Sequence, residues 1–143
     1  MNTIRPMLGA VDHVGYLAAD LEASVSSFTS LLGSRVARHF ERPEFSVQGV
    51  YLGAGGGDIE IFTFTDPDLL SGRLGGSSLL LDHVAYEVAD IEGMAATMRR
   101  EGVRFSGPDL RGELLEAADL GGVLHLWTVP ETCLGQSLQL LQR

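Results

Sequence analysis

Val11-Asp12-His13-Val14-Gly15-Tyr16-Leu17-Ala18-Ala19-Asp20-Leu21-Glu22 returns as Leu81-Asp82-His83-Val84-Ala85-Tyr86-Glu87-Val88-Ala89-Asp90-Ile91-Glu92, an interval of 70 residues from His13 to His83. A second phrase is also doubled. Gly56-Gly57-Asp58-Ile59-Glu60-Ile61-Phe62-Thr63 matches Gly121-Gly122-Val123-Leu124-His125-Leu126-Trp127-Thr128. Each half of the chain therefore carries a histidine early and a glutamate or histidine late. Duplication that keeps metal-ligand residue types in place is the strongest functional signal in the sequence.

Working outward from the repeat, Gly9 to Ala18 alternates and reads as a strand, with Val11, His13 and Gly15 on one face. Asp20 is a helix N-cap. Leu21, Val25, Phe28 and Leu32 follow at helical spacing, and Gly33 is the stop. Arg35 to Phe40, Ser46 to Leu52 and Asp58 to Phe64 read as three strands, the last two joined by a hairpin at Gly53 to Gly57. The second half repeats the order. Leu79 to Val88 is a strand, and Asp90 caps a helix that runs to Gly102. Strands follow at Val103 to Ser106, Leu114 to Ala118 and Val123 to Val129. The expected organisation is α+β: a βαβββ module over 8–64, a linker over 65–78, a second βαβββ module over 79–130 and a C-terminal extension over 131–143. That extension reads as a short helix or an ordered tail.

Composition narrows the function. At 143 residues, with 45% hydrophobic and 20% charged residues, the chain is an ordinary globular one. No apolar run reaches the roughly 18 residues of a membrane helix, and Met1 to Ala10 lacks a signal-peptide core. The lone Cys133 has no internal disulfide partner and no neighbouring base, so a cytoplasmic setting and an inert thiol are expected. A net charge of −9 argues against nucleic acid. All ten basic residues are arginines, which excludes lysine Schiff-base chemistry and leaves arginine to meet any anionic group.

Pseudo-twofold packing of the two modules brings His13, Glu60, His83 and His125 toward one axis. Imidazole and carboxylate ligands suit one divalent ion of Zn, Ni, Co, Mn or Fe, and the absence of thiolates excludes a structural zinc knuckle. Glu60 stands in an apolar strand, where an ionised carboxylate costs several kcal/mol unless it is paired or bound to metal. Phe62 and Trp127, two residues beyond Glu60 and His125 on the same faces, are the expected substrate walls. His39 has no repeat partner and no assigned role.

These features resemble the vicinal oxygen chelate superfamily, which includes glyoxalases, bleomycin-resistance proteins and extradiol dioxygenases. The resemblance rests on the Asp-His-Val opening of each half, the Ala-Asp-Leu/Ile-Glu helix start and the Gly-Gly-x-Ile/Leu-Glu/His-Ile/Leu strand. It spans Val11 to about Val129. It implies paired βαβββ modules in a U-shaped sheet around a divalent metal held by His13, Glu60, His83 and His125. Gln48-Gly49-Val50, Asp66-Pro67-Asp68 and Gly121-Gly122-Val123-Leu124 are similar to methylmalonyl-CoA epimerase sequences, with glyoxalase I the other near relative. Both place glutamate where this chain has His125. The resemblance implies an isomerase or lyase that stabilises an enolate or enediolate of a small oxygenated substrate, with Glu60 or His125 moving the proton and Glu44 as an opposite-face acid or base. The alternatives are an iron-dependent dioxygenase and a non-catalytic protein that sequesters a small molecule such as an antibiotic. Open sheet edges and the resemblance together imply a homodimer.

Overall fold

The computed structural model describes residues 7–53 and 58–143. The chain divides into two compact units, His13–His83, and the residues up to Asp12 together with Val84–Arg143.

The unit His13–His83 carries most of β1 (Val11–Ala18), then α1 (Leu21–Leu32), β2 (Arg35–Arg42), β3 (Val47–Gly53), β4 (Asp58–Phe64), α2 (Pro67–Leu74) and the start of β5 (Leu79–Glu87). Its strands lie in the order β2-β3-β4-β1. β4 runs parallel to β1, with Gly15 opposite Glu60 and Leu17 opposite Phe62. β3 is antiparallel to β4, with Tyr51 opposite Glu60. The sheet is therefore mixed, and the α+β class expected from the sequence is the one observed. α1 starts where the Asp20 side chain accepts from the Ala23 amide at 3.0 Å and stops at Gly33, whose φ of 68° is left-handed. Its Leu21, Val25 and Phe28 cover Ala18, Val50, Leu52 and Ile61 on one sheet face. Full burial of each large aliphatic side chain is worth roughly 1.5–3 kcal/mol.

The opposite face holds Leu17, Val47, Phe62, Phe64 and Leu74. Leu74 comes from α2, a short helix within the 65–78 stretch. Asp66 accepts from the Asp68 and Leu69 amides, Pro67 occupies the first helical turn, and Gly75 (φ 57°) ends the helix. That is the proline-in, glycine-out signature of a short helix. The hairpin residues Ala54–Gly57 lie outside the described residues, but Gly53 and Asp58 on either side are paired.

The other unit contains the end of β5, α3 (Ile91–Arg100), β6 (Phe105–Ser106), β7 (Ala118–Leu120), β8 (Val123–Thr128) and β9 (Ser137–Gln142). The strand order is β5-β9-β8-β6, with β7 also paired to β8. Two expectations change here. Leu114 to Ala118 is not a strand: Leu114 and Ala117 pack against the core cluster of Ile91, Ala95, Phe105, Leu126 and Leu140, and only Ala118 joins β7. The C-terminal segment is a buried strand, antiparallel to β8, with Leu140 and Leu141 fully inside. A β-strand face and a tail rich in Leu and Gln look alike in sequence until a partner strand is known.

Candidate metal centre

Register brings three of the predicted ligands together within the His13–His83 unit. His13 on β1 and Glu60 on β4 share a sheet face one strand apart, and His83 stands in the middle of β5. His13, Glu60 and His83 are all buried. Nε2 of His83 lies 3.3 Å from Glu60 Oε1 and 3.4 Å from His13 Nε2, and His13 Nε2 lies 3.6 Å from Glu60 Oε2. One ligand atom from each of the three residues lies within 4.8 Å of the other two, a span that imidazole and carboxylate donors to a single ion share. The three donors are thus spaced as ligands of one ion.

Other side chains hold these donors in place. Nδ1 of His83 faces Asp82 Oδ2 at 2.9 Å, and the other Asp82 oxygen receives Arg73 of α2. The His83 ring covers Gly15, where a Cβ would run into it. Phe62 packs its ring 5.5 Å from the His83 ring, and Tyr51 sets its edge 5.3 Å from the His13 ring. Tyr51 also hydrogen-bonds Glu60. Arg38 lies over the Tyr51 ring at 4.2 Å.

Charge is concentrated here among buried side chains. Burial alone would raise the Glu60 carboxyl, but its hydrogen bond and charge pairing with His83, then His13 and Tyr51, bring it down to about 2. Burial would likewise push the His83 imidazolium down. Asp82 and Glu60 reverse that and raise it to about 9. In the metal-free protein, the His83 proton supplies the positive charge between two carboxylates.

His125 belongs to the other unit, on β8. Its Nδ1 lies 2.9 Å from Nε2 of the buried Gln139 on β9, and its ring stacks on Trp127 at 5.5 Å and 12°. Trp127 is buried, and Phe62 is buried more completely still. Glu44 is exposed on the 3-10 turn between β2 and β3, beside the Val47–Phe64 end of the ladder. Tyr51–Glu60 lies four residues further along, roughly 13 Å away at strand spacing. Among the described residues the grouped donors are His13, Glu60 and His83, and Glu44 is not one of them.

A family model described as Glyoxalase/Bleomycin resistance protein/Dioxygenase superfamily matches residues 12–114. The chain belongs to this superfamily. The fold agrees: the crystal structure of methylmalonyl-CoA epimerase from Mycobacterium tuberculosis is similar over 99% of this chain and 92% of its own, with a TM-score of 0.81 and 18% identity. A variant of Streptomyces coelicolor methylmalonyl-CoA epimerase in complex with 2-nitronate-propionyl-CoA matches 95% of this chain and 98% of its own, at TM-score 0.76 and 24% identity. A hypothetical protein from Bacillus halodurans C-125 matches 94% of each chain at TM-score 0.76 and 16% identity. No curated protein matches.

The superfamily match covers His13, Glu60 and His83 and ends before His125. The donor set fits the divalent metal that the superfamily implies: two imidazoles and one carboxylate, buried, convergent and free of thiolate. Sequence reasoning missed Asp82, Arg73, Gly15 and Tyr51. Asp82 had a signal, being part of the duplicated Asp-His pair, and Gly15 had another, as the smaller residue at the position held by Ala85 in the second copy. Arg73 and Tyr51 lie outside the repeated phrases.

Proposed function

We propose that this superfamily member is a metal-dependent isomerase or lyase that moves a proton at the carbon beside a carbonyl of a small oxygenated substrate. The observation that carries the reading is the buried His13–Glu60–His83 cluster, whose donors are spaced for one ion. A divalent ion held there by His13, Glu60 and His83 would supply Lewis-acid stabilisation of a substrate oxyanion. His13 and His83 provide neutral nitrogen donors and Glu60 one anionic oxygen, so the site keeps net positive charge toward a developing oxyanion.

Glu60 serves as ligand rather than base. Its carboxylate oxygens face Nε2 of His83 and Nε2 of His13, the placement of a shared donor. His125 takes the role of proton carrier. Its Nδ1 is engaged by the neutral Gln139 amide, while both cluster histidines are engaged with Glu60. Trp127 stacks on His125 and Phe62 packs on His83, and these two rings are the proposed substrate contacts. The reading is tested by NMR of α-hydrogen exchange with deuterated solvent, using acyl-CoA thioesters, hemithioacetals and 2-oxo compounds in turn. Exchange should require added metal and vanish in Glu60→Ala and His125→Ala. We also expect a homodimer, because β2 ends its sheet order and is largely exposed; a monomeric mass by sedimentation contradicts that.

One observation favours a second reading. Two histidines and one glutamate are the donor set of non-haem Fe(II) oxygenases. Dioxygen consumption with C–C cleavage, and no solvent exchange, would select that alternative.

A further inference from the structure

We propose that Arg73 and Asp82 are positioning residues for the metal: Arg73 clamps Asp82 so that Asp82 fixes the His83 ring with Nε2 turned to the ion. The inference rests on the metal reading above. Asp82 Oδ2 is 2.9 Å from His83 Nδ1, and Oδ1 is taken by Arg73. Both carboxylate oxygens are thereby assigned, one to hold the aspartate and one to hold the histidine. The Asp82 side chain is 7% exposed and the His83 side chain 2%, so water does not substitute easily for either contact.

Arg73 is delivered by a device made for it. It lies in the last turn of α2, which is fixed at one end by the Asp66 cap and at the other by left-handed Gly75. Its guanidinium also lies over the Phe64 ring at 5.4 Å, at the end of the strand that carries Glu60. On the far side of the imidazole, Gly15 leaves room for the ring and Phe62 packs against it. The ring is held by Asp82 at Nδ1, faces Glu60 and His13 with Nε2, and meets Gly15 and Phe62. A ligating histidine whose second nitrogen donates to a carboxylate has its tautomer and direction set, and loss of such a partner costs 10–100-fold in metal affinity.

The other Asp-His pair also has an arginine: Arg143 binds Asp12 at 2.7 Å. The two clamps differ in burial: the Arg143 side chain is 52% exposed, that of Arg73 16%. Arg143 also binds Glu87. The buried copy is the one in contact with a predicted metal ligand.

The test is a competition titration of zinc and cobalt(II) on wild type, Asp82→Asn, Arg73→Met, Arg73→Lys and Arg143→Met, with the melting temperature of each metal-free form. Asp82→Asn and Arg73→Met should weaken metal binding 10–100-fold and alter the cobalt(II) absorption spectrum. Arg73→Lys should recover part of the affinity, since it restores charge without the fork. Arg143→Met should stay within about threefold. Nitrogen-15 NMR of zinc-loaded protein should show His83 protonated at Nδ1 in wild type and a changed Nδ1 signal in Asp82→Asn. If wild type binds no metal, the metal reading itself fails. If it binds metal and both Asp82→Asn and Arg73→Met bind equally well with unchanged spectra, the clamp is refuted and the metal reading stands. A variant that melts early yet keeps wild-type affinity when folded counts against the clamp as well.

Discussion

Asp12-His13 and Asp82-His83 are copies of one phrase, yet their carboxylates do different work. Asp82 is buried, braced by Arg73 and set on the ring of the next residue. Asp12 is held by a half-exposed Arg143 that also reaches Glu87. The late positions diverge in the same way. Glu60 sits between two imidazoles, whereas His125 is bonded to an amide and stacked on indole. Duplication preserves residue types and strand positions. Burial and neighbours then decide which copy carries charge.

The largest expected effect breaks the Glu60–His125 comparison. Glu60→Ala should lose metal by more than the 10–100-fold expected of a supporting residue, and should leave two buried histidines without their anion. His125→Ala should keep metal while abolishing solvent exchange. Loss of metal in His125→Ala, read by elemental analysis, would instead make His125 the fourth ligand.

Next in size is the core of each unit. Ile61→Ala in one and Leu140→Ala in the other should each cost about 2–5 kcal/mol in chemical denaturation. A cost below about 1 kcal/mol for Leu140→Ala would mean that β9 is an appendage rather than a core strand.

Gly15 and Ala85 sharpen the contrast between the two opening strands. Gly15→Ala drives a methyl into the His83 ring, so it should destabilise by about 1–3 kcal/mol and weaken zinc binding. Ala85→Gly removes a buried methyl and loosens a strand, at about 1 kcal/mol, with zinc affinity unchanged. Equal zinc affinities in Gly15→Ala and wild type would sink the claim that Gly15 makes room for a ligand.

The smallest effect is on pH dependence. His83 is raised from 6.5 to about 9, so its contribution to metal-free stability is full below 6.5 and is lost as pH climbs through 9. Glu60 is lowered from 4.5 to about 2, so its contribution is full above 4.5 and is lost as pH falls through 2. Metal-free protein should therefore have its stability plateau between 4.5 and 6.5. Metal must displace the His83 proton, so binding at pH 7.5 should release close to one proton, measurable by calorimetry in buffers of different ionisation enthalpy. Proton release unchanged in His83→Ala would contradict this.

Much of this molecule was legible in advance because the repeat is local. Asp20 and Asp90 announce helices, alternation announces β1, β4 and β8, and the doubled histidines announce the buried His13–His83 pair. What stayed hidden depends on partners distant in sequence. β9 becomes a strand through β8, and its Leu-Gln alternation alone does not separate strand from tail. The stretch 114–117 is apolar because it covers α3, not because it joins a ladder. α2 is readable from Asp66, Pro67 and Gly75, although Pro67, Gly72, Gly75 and Gly76 also suit a connecting segment. Arg73 lies nine residues before Asp82 and meets it only once α2 turns the chain back. The reach of His125 and Trp127 depends on tertiary placement that no spacing reveals.

X-ray absorption of zinc-loaded wild type, alongside His13→Ala, tests the central claim most directly. The account predicts one zinc per chain with two imidazole nitrogens and carboxylate oxygen at about 2.0–2.2 Å, falling to one imidazole or to no bound zinc in His13→Ala. A zinc site without imidazole scattering, or one unchanged in His13→Ala, would contradict it.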